Sequence, residues 1–225
     1  MPEKKLTQKE AYKIGTDYQF IDSLKLGPWT SYSLIHDAKH LGFVLARYKF
    51  CAKMLEGMDL VLEVGCGDGF GTPVMAQAVK KLVAIEPDAR HIRGNSRRLE
   101  KFENVAFKCL SICDGAPEGK FDAAFSIDVI EHLDKPLNKP FFENQCACLK
   151  EDGVCIVGTP NITANKYASS RSRVQHINLQ SPASLKKIMS RYFRRVFMFG
   201  MNDEVLHTGY APMCHYIFGM GVGLR

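Results

Sequence analysis

No stretch of this 225-residue chain approaches the ~20 consecutive apolar residues of a membrane-spanning helix, so a spanning segment is not expected. The start, Met1-Pro2-Glu3-Lys4-Lys5, is followed by no apolar core and does not read as a secretory leader. Internal repeats and low-complexity tracts are absent, and tryptophan nearly so: Trp29 stands alone. There is no long basic tract either. Lys80-Lys81, Arg97-Arg98 and Arg194-Arg195 come as pairs, not interleaved with aromatics, and the net charge of +6 is mild. No nucleic-acid partner is expected; a solvated surface accounts for the excess, with an anionic small substrate the next reading. Cysteine is plentiful, at eight, but zinc-type spacing is missing, because neither Cys109/Cys113 nor Cys146/Cys148 has a second ligand cluster. The cysteines read as reduced, buried thiols of a cytoplasmic protein.

What is present is an ordinary apolar content of 46% with 24% charged residues, enough to bury one α/β core. From Asp59 onward, short apolar runs alternate with helix-forming stretches, which predicts a parallel sheet with right-handed crossovers. Strands are expected at 59–64, 81–86, 105–110, 121–126 and 153–158, and helices at 71–79, 89–101 and 138–150. Ser181 should cap a helix with Pro182 at its first position, ending near Tyr192. Val196–Gly200 and Cys214–Gly219 should form a closing antiparallel pair. Ahead of the sheet, Ala11, Ile14, Tyr18, Ile21 and Leu24 share one helical face within 7–25. A second helix is expected from Ser33 to Glu56, with Leu41, Val44, Leu45, Tyr48, Cys51, Met54 and Leu55 at core spacing. Leu26-Gly27-Pro28-Trp29 should break the two apart, and Trp29 there is either part of a lid or a packing anchor.

The chain is organised around Val61-Leu62-Glu63-Val64-Gly65-Cys66-Gly67-Asp68-Gly69-Phe70-Gly71. A strand buried on both faces runs into glycines where it must turn into a helix, and bare glycine lets a ligand approach the backbone. The loop predicts a pocket for an adenosine-containing ligand. The dinucleotide pattern G-x-G-x-x-G fails, since its last glycine would fall on Phe70 or Thr72, and no P-loop lysine follows. What remains is an acid two residues ahead of G-x-G-x-G, with Ile85-Glu86-Pro87-Asp88 ending the next apolar run.

These two motifs, in this order and spacing, resemble class I S-adenosylmethionine-dependent methyltransferases. With Ser126-Ile127-Asp128-Val129-Ile130-Glu131-His132-Leu133, Gly158-Thr159-Pro160-Asn161 and Gln175-His176-Ile177-Asn178, the chain is similar to the ubiquinone-biosynthesis-type, small-molecule subgroup over roughly residues 40 to 190. The resemblance implies a Rossmann-like doubly wound sheet of seven strands, mostly parallel with the last strand antiparallel. It also implies one domain over 1–225, in which 1–56 is a helical extension or lid and 57–225 the core. The implied cofactor is S-adenosyl-L-methionine, with S-adenosyl-L-homocysteine as product.

Site roles follow from that resemblance. Glu86 would accept both ribose hydroxyls. Gly65, Cys66 and Gly67 would bring the backbone to the cofactor, and Glu63 would fix the loop or the methionyl ammonium. Pro87, Ser111 and the Ile112 backbone would border the adenine, although Leu110-Ser111-Ile112 stands where many relatives carry an acid. Asp128 and Val129 would face the cofactor. Arg47 would pair with the methionyl carboxylate, or else be an exposed helix arginine.

His132 and His176 are the candidate bases, with turn capping as the alternative for His132; imidazole titrates in the right range. Arg171 and Arg173 would bind an anionic acceptor. No metal is expected: His36 and His40, spaced i,i+4 around Asp37, lack a third ligand. His207 reads as a solvated histidine or as a tail contact to substrate. The implied activity is transfer of a methyl group to O or N of a small molecule, a sugar or nucleotide-linked metabolite first. A quinone-precursor or lipid-like acceptor is the second option, and a non-catalytic cofactor-binding scaffold the third.

Overall fold

A computed structural model describes residues 5–16 and 23–225. Ahead of the sheet lie helices α1 (Gln8–Thr16), α2 (Pro28–His36) and α3 (Lys39–Met54). The core alternates β1 (Leu60–Val64), α4 (Thr72–Ala76), β2 (Lys81–Glu86), α5 (Ala89–Arg98), β3 (Val105–Cys109), β4 (Phe121–Ile127), α6 (Asn138–Cys148) and β5 (Leu149–Pro160). It closes with α7 (Ser170–Gln175), α8 (Pro182–Met189), β6 (Phe193–Asn202), β7 (Val205–His207) and β8 (Tyr216–Leu224).

The sheet order is β3-β2-β1-β4-β5-β8-β6-β7. The first five strands are mutually parallel, and β8 runs antiparallel between β5 and β6. The expected doubly wound α/β sheet is present, with eight strands among the described residues instead of seven. The additional one is β7, three residues folded back on β6 through Asp203, which adopts a left-handed φ of 49°. Such a turn is a two-residue hairpin connection, too short a signal to separate from a loop. Strand order reverses between β1 and β4, the place where open sheets bind ligands. Val64 is level with both Ile85 and Ser126, so the carboxyl ends of β1, β2 and β4 meet there.

One core cluster packs α6 and α8 on the sheet through Phe141, Phe142, Leu185 and Met189. On the opposite face Tyr48 and Cys51 of α3, with Leu55 at its C-cap, meet Met75, Phe125 and Phe218. Ser181 caps α8 as expected: its hydroxyl accepts from the Ser184 N–H, the Ser184 hydroxyl accepts in return, and Pro182 stands in the first turn.

The helices before the sheet differ from expectation. Residues 23–27 are non-helical, as the expected break requires, but Pro28 and Trp29 already belong to α2, because proline in a first turn is harmless with its fixed φ and missing N–H. The helix expected over Ser33–Glu56 is interrupted at Asp37 (φ −156°, ψ 70°), so His36 and His40 lie on different helices. Of the expected core positions from Leu41 to Leu55, Tyr48, Cys51 and Leu55 are buried and Leu41 and Val44 half-buried, whereas Leu45 and Met54 are exposed and Arg47 and Phe50 join the buried face. Of the first helix, Tyr18 and Ile21 lie outside the described residues, and Ala11 and Leu24 are exposed.

No disulfide forms among the eight cysteines, all free thiols. Cys109 is exposed and Cys113 and Cys146 half-buried, so the reading of uniformly buried thiols is corrected. Burial pushes Cys148 up to about 11, which keeps it a thiol at neutral pH. Among the described residues no helix is long and apolar enough to cross a membrane.

Candidate active site

The glycine loop turns tightly because Gly65 and Gly67 have left-handed φ values of 76° and 51°. A β-carbon on Gly65 would stand 2.5 Å from Val129 Cγ2, and one on Gly67 would stand 3.0 Å from Trp29 Cζ3. Side chains at either position would therefore push the loop off the β4 turn or off α2. The N–H groups of Gly65 and Cys66 both donate to the Ile85 carbonyl, at 2.9 and 3.1 Å, which ties the loop to the end of β2.

Glu63 lies fully buried beneath the loop, accepting from the Tyr48 hydroxyl at 2.8 Å and the Thr72 hydroxyl at 2.9 Å. Burial pushes its carboxyl up to about 7, against the two hydrogen bonds, which favour the charged form. An unfolded-chain glutamate titrates near 4.5. Between these values the folded chain holds the extra proton. The stability it contributes is complete below about pH 4.5 and is lost as pH rises through about 7. Glu63→Gln should therefore flatten the melting temperature against pH across that window. An identical slope in wild type and variant would refute this ionisation.

At the crest of β2 the Glu86 carboxylate accepts from the N–H of Gly67 and of Asp88, each at 3.2 Å. It is half-buried and held from two sides. Leu110 N–H donates to the Glu86 carbonyl at 3.2 Å, bringing the 110–112 segment to the same edge as Pro87. There Ser111 Oγ accepts from Cys113 N–H, and the carbonyl of buried Ile112 accepts from Asn144.

The second half of the site forms where β4 ends. Asp128 is one of two non-glycine residues with left-handed φ among the described residues, at 57°. It sits there because its N–H donates to Gly158 at 3.1 Å while its carboxylate turns onto Arg47. The Arg47 Nη1–Asp128 Oδ2 distance is 2.7 Å, and the guanidinium lies 3.9 Å above the Tyr216 ring. Arg47 is thus a buried residue, not an exposed one. Burial works against its charge, yet Asp128 leads a set of partners that carries its pKa above the ordinary arginine value.

Glu131, fully buried, accepts from the Thr159 hydroxyl at 2.9 Å. Burial first, and then Asp128, hold its carboxyl well above the usual range. Its other oxygen, Oε1, and Arg47 Nε are buried without a hydrogen-bond partner among the described residues. Buried polar atoms are rarely left so, and these two fit a polar ligand at this end of the sheet.

His132 Nδ1 lies 3.2 Å from the Gln175 carbonyl, and its ring centroid is 5.1 Å from that of His176. The two candidate bases, far apart in sequence, stand side by side. Burial, then the neighbouring His132, lowers the His176 pKa, so this imidazole is neutral at pH 7. His40 and His215 stand near Arg47 and are lowered in the same way, by burial first and Arg47 next. Among the described residues, ligand atoms of Glu131, His132 and His176 all lie within 4.8 Å of one another, a group that can hold a metal ion. His36 and His40 do not make such a group; His36 packs on Tyr32 instead. His207 bonds Asn202 and the Gly209 N–H, bracing the β6–β7 hairpin. Arg171 and Arg173 are exposed on α7, the former 5.4 Å from the Tyr32 ring.

The sequence reading missed Glu131, Tyr48, Thr72 and Tyr216. Glu131 adjoins His132 in the chain, so an acid–imidazole pair after a buried strand was the available signal. The other three depend on helices and strands brought in from elsewhere.

An open sheet with an acid-anchored glycine loop, a carboxylate at the crest of β2 and a polar cluster at the switch point defines the class I S-adenosylmethionine-dependent methyltransferase architecture. The chain belongs to that family: its methyltransferase-domain model matches residues 36–192. A probable S-adenosylmethionine-dependent methyltransferase of Mycobacterium tuberculosis is 32% identical over 106 residues, covering 45% of this chain and 35% of that protein. A ubiquinone biosynthesis O-methyltransferase of Rhodopseudomonas palustris is 27% identical over 116 residues, covering 51% of this chain and 44% of the other. The matches thus span between about a third and under a half of these relatives' own length.

Solved structures share the fold. The N-methyltransferase NodS of Bradyrhizobium japonicum, in complex with S-adenosylhomocysteine, has a TM-score of 0.62 at 15% identity, over 86% of this chain and 92% of that one. The methyltransferase domain of a bacterial Hen1 protein has a TM-score of 0.66 at 17% identity, over 80% and 97%.

Proposed function

We propose that this chain binds S-adenosylmethionine across the crest of the sheet and transfers its methyl group to an oxygen or nitrogen of a small-molecule acceptor. The observation that carries the reading is the shared position of two things: Glu86, locked onto the glycine loop, and the His132–His176 pair at the switch point beside it. Glu86 would accept the ribose hydroxyls. Gly65, Cys66 and Gly67 would line the methionyl part, with Pro87, Ser111 and Ile112 at the adenine. Asp128 and Val129 close the opposite side. Arg47 would reach the methionyl carboxylate through the Nε that its Asp128 pairing leaves unused.

When bound, the cofactor supplies a methyl group on a positively charged sulfur, and the leaving thioether is neutral. The chain therefore has no leaving group to protonate. Its residues align the acceptor, and a neutral imidazole takes the acceptor's proton at its free ring nitrogen. We assign that role to His132 or His176, and the helical extension of residues 1–56 to covering the pocket. Calorimetry with S-adenosylhomocysteine, followed by methyl transfer from labelled cofactor to a metabolite panel, tests the reading. Binding without transfer to any acceptor would favour a cofactor-binding scaffold instead.

A second reading rests on the Glu131–His132–His176 group: a divalent cation held there would bind the acceptor oxygen and lower its pKa, with the imidazoles as ligands. Activity removed by a chelator and restored by one divalent cation would select this reading over the imidazole base.

The acceptor is a sugar or nucleotide-linked metabolite if Arg171 and Arg173 bind an anion. Replacing both by alanine should then raise the acceptor KM about tenfold or more while leaving the cofactor KM unchanged. An unchanged acceptor KM would remove the anionic acceptor. The exposed Tyr167, Val174 and Ile177 around α7 favour the quinone-precursor or lipid-like alternative in that case.

A further inference from the structure

Asp68, inside the glycine loop, is 5% exposed and makes no contact that the binding reading requires. Its carboxylate instead accepts from the Thr30 N–H at 2.8 Å and from the Thr30 hydroxyl at 3.0 and 3.1 Å. Thr30 is in the first turn of α2, whose own N-cap residue, Gly27, has no side chain to offer. Helix N-termini leave their first N–H groups unpaired, and an aspartate normally caps them from the adjoining residue. Here the cap comes from 38 residues away.

The fit is close. A β-carbon at Gly27 would lie 2.3 Å from Asp68 Oδ2. Two further contacts secure the same seat. Trp29 lies against Gly67 and stands 4.6 Å from His91, edge to ring. Arg98 of α5 donates both to the Asp68 carbonyl and to the Lys25 carbonyl just ahead of α2. Farther along α2, the Tyr32 ring lies 5.4 Å from the Arg171 guanidinium on α7. The residue that caps the C-terminus of α7 is His176. A single short helix therefore touches the cofactor loop at one end and the acceptor-side helix farther along.

We propose that Asp68 is a positioning residue: it fixes α2 to the cofactor loop, and α2 carries the state of that loop to α7, the helix that bears Arg171 and is capped by His176. The inference rests on the proposed cofactor site and adds to it an order of events, in which filling the cofactor cleft organises the acceptor side. Such coupling is a free-energy difference between two ligation states and is measurable without knowing the acceptor.

The experiment is amide hydrogen exchange on the full chain, with and without saturating S-adenosylhomocysteine, in wild type, Thr30→Val and Tyr32→Leu. Thr30→Val removes the hydroxyl from the Asp68 latch; Tyr32→Leu alters only an exposed ring and guards against a folding defect in the first variant. In wild type the ligand should slow exchange about fivefold or more in the loop, in α2 and in α7. Thr30→Val should keep the protection of the loop and lose it in both helices. Tyr32→Leu should lose it in α7 alone. Emission from Trp29, the sole tryptophan, should respond to the ligand in wild type and Tyr32→Leu but not in Thr30→Val.

A merely structural latch would speed exchange equally with and without ligand, and that outcome overturns the proposal. So does loop protection in wild type with no response in α7. These results leave the cofactor site standing. No protection anywhere, including residues 65–69, overturns that site and the coupling together.

Discussion

Glu86→Ala is expected to weaken S-adenosylhomocysteine binding about a hundredfold or more, with much less change in turnover at saturating cofactor. A carboxylate that accepts two hydroxyl donors makes two charge-assisted hydrogen bonds, each worth about 1.5–3 kcal/mol, and every ~1.4 kcal/mol is tenfold in affinity. The side chain also receives the Gly67 and Asp88 N–H groups, so its removal loosens the loop it anchors. Neither effect touches the reacting atoms. The loss should therefore appear in Kd and in the cofactor KM, not in kcat. Glu86→Gln, which retains one acceptor, should lie between. Calorimetry on the three proteins measures this; a Kd within twofold of wild type in Glu86→Ala would take Glu86 out of the cofactor site.

His132→Ala should do the reverse, lowering kcat by about 10²–10⁴ while leaving cofactor affinity nearly unchanged, the usual range for loss of a positioned base. The pair arrangement adds a pH signature. His176 is held neutral by burial and by its neighbour, so the wild-type rate should climb with pH as this imidazole loses its proton, then level off. In His132→Ala the remaining imidazole loses the neighbour that helped lower its pKa, and the rise should move toward higher pH. Retention of full rate by His132→Ala on the true acceptor would remove the base assignment. A chelator that lowers wild type to the level of the variant would transfer His132 from proton acceptor to metal ligand.

The local features of this protein were legible in its sequence. The run from Val61 to Gly71 states a buried strand and a turn that needs left-handed glycines within eleven consecutive residues, and the next helix follows at Thr72. The Ser181–Pro182 start of α8 is equally local, since a cap and a first-turn proline act over one turn. Residues meeting across the fold were not legible. Arg47 finds Asp128 from 81 positions away, and Glu131 finds Thr159 from 28. Nothing around Arg47 distinguishes it from an exposed helix arginine, and the acid–imidazole pair at Glu131 gives no hint of Thr159. His132 and His176 were singled out separately, and only the fold shows that they face each other. The interruption of the N-terminal helices at Asp37 escaped for another reason: apolar periodicity runs on through the break, and no glycine or proline marks it.

A crystal structure with S-adenosylhomocysteine bound measures the central claim most directly. The account predicts the ribose hydroxyls within hydrogen-bonding distance of the Glu86 carboxylate, with the sulfur directed to the end of β4 where His132 and His176 stand. A ribose held away from Glu86, or a ligand seated elsewhere on the sheet, would contradict it.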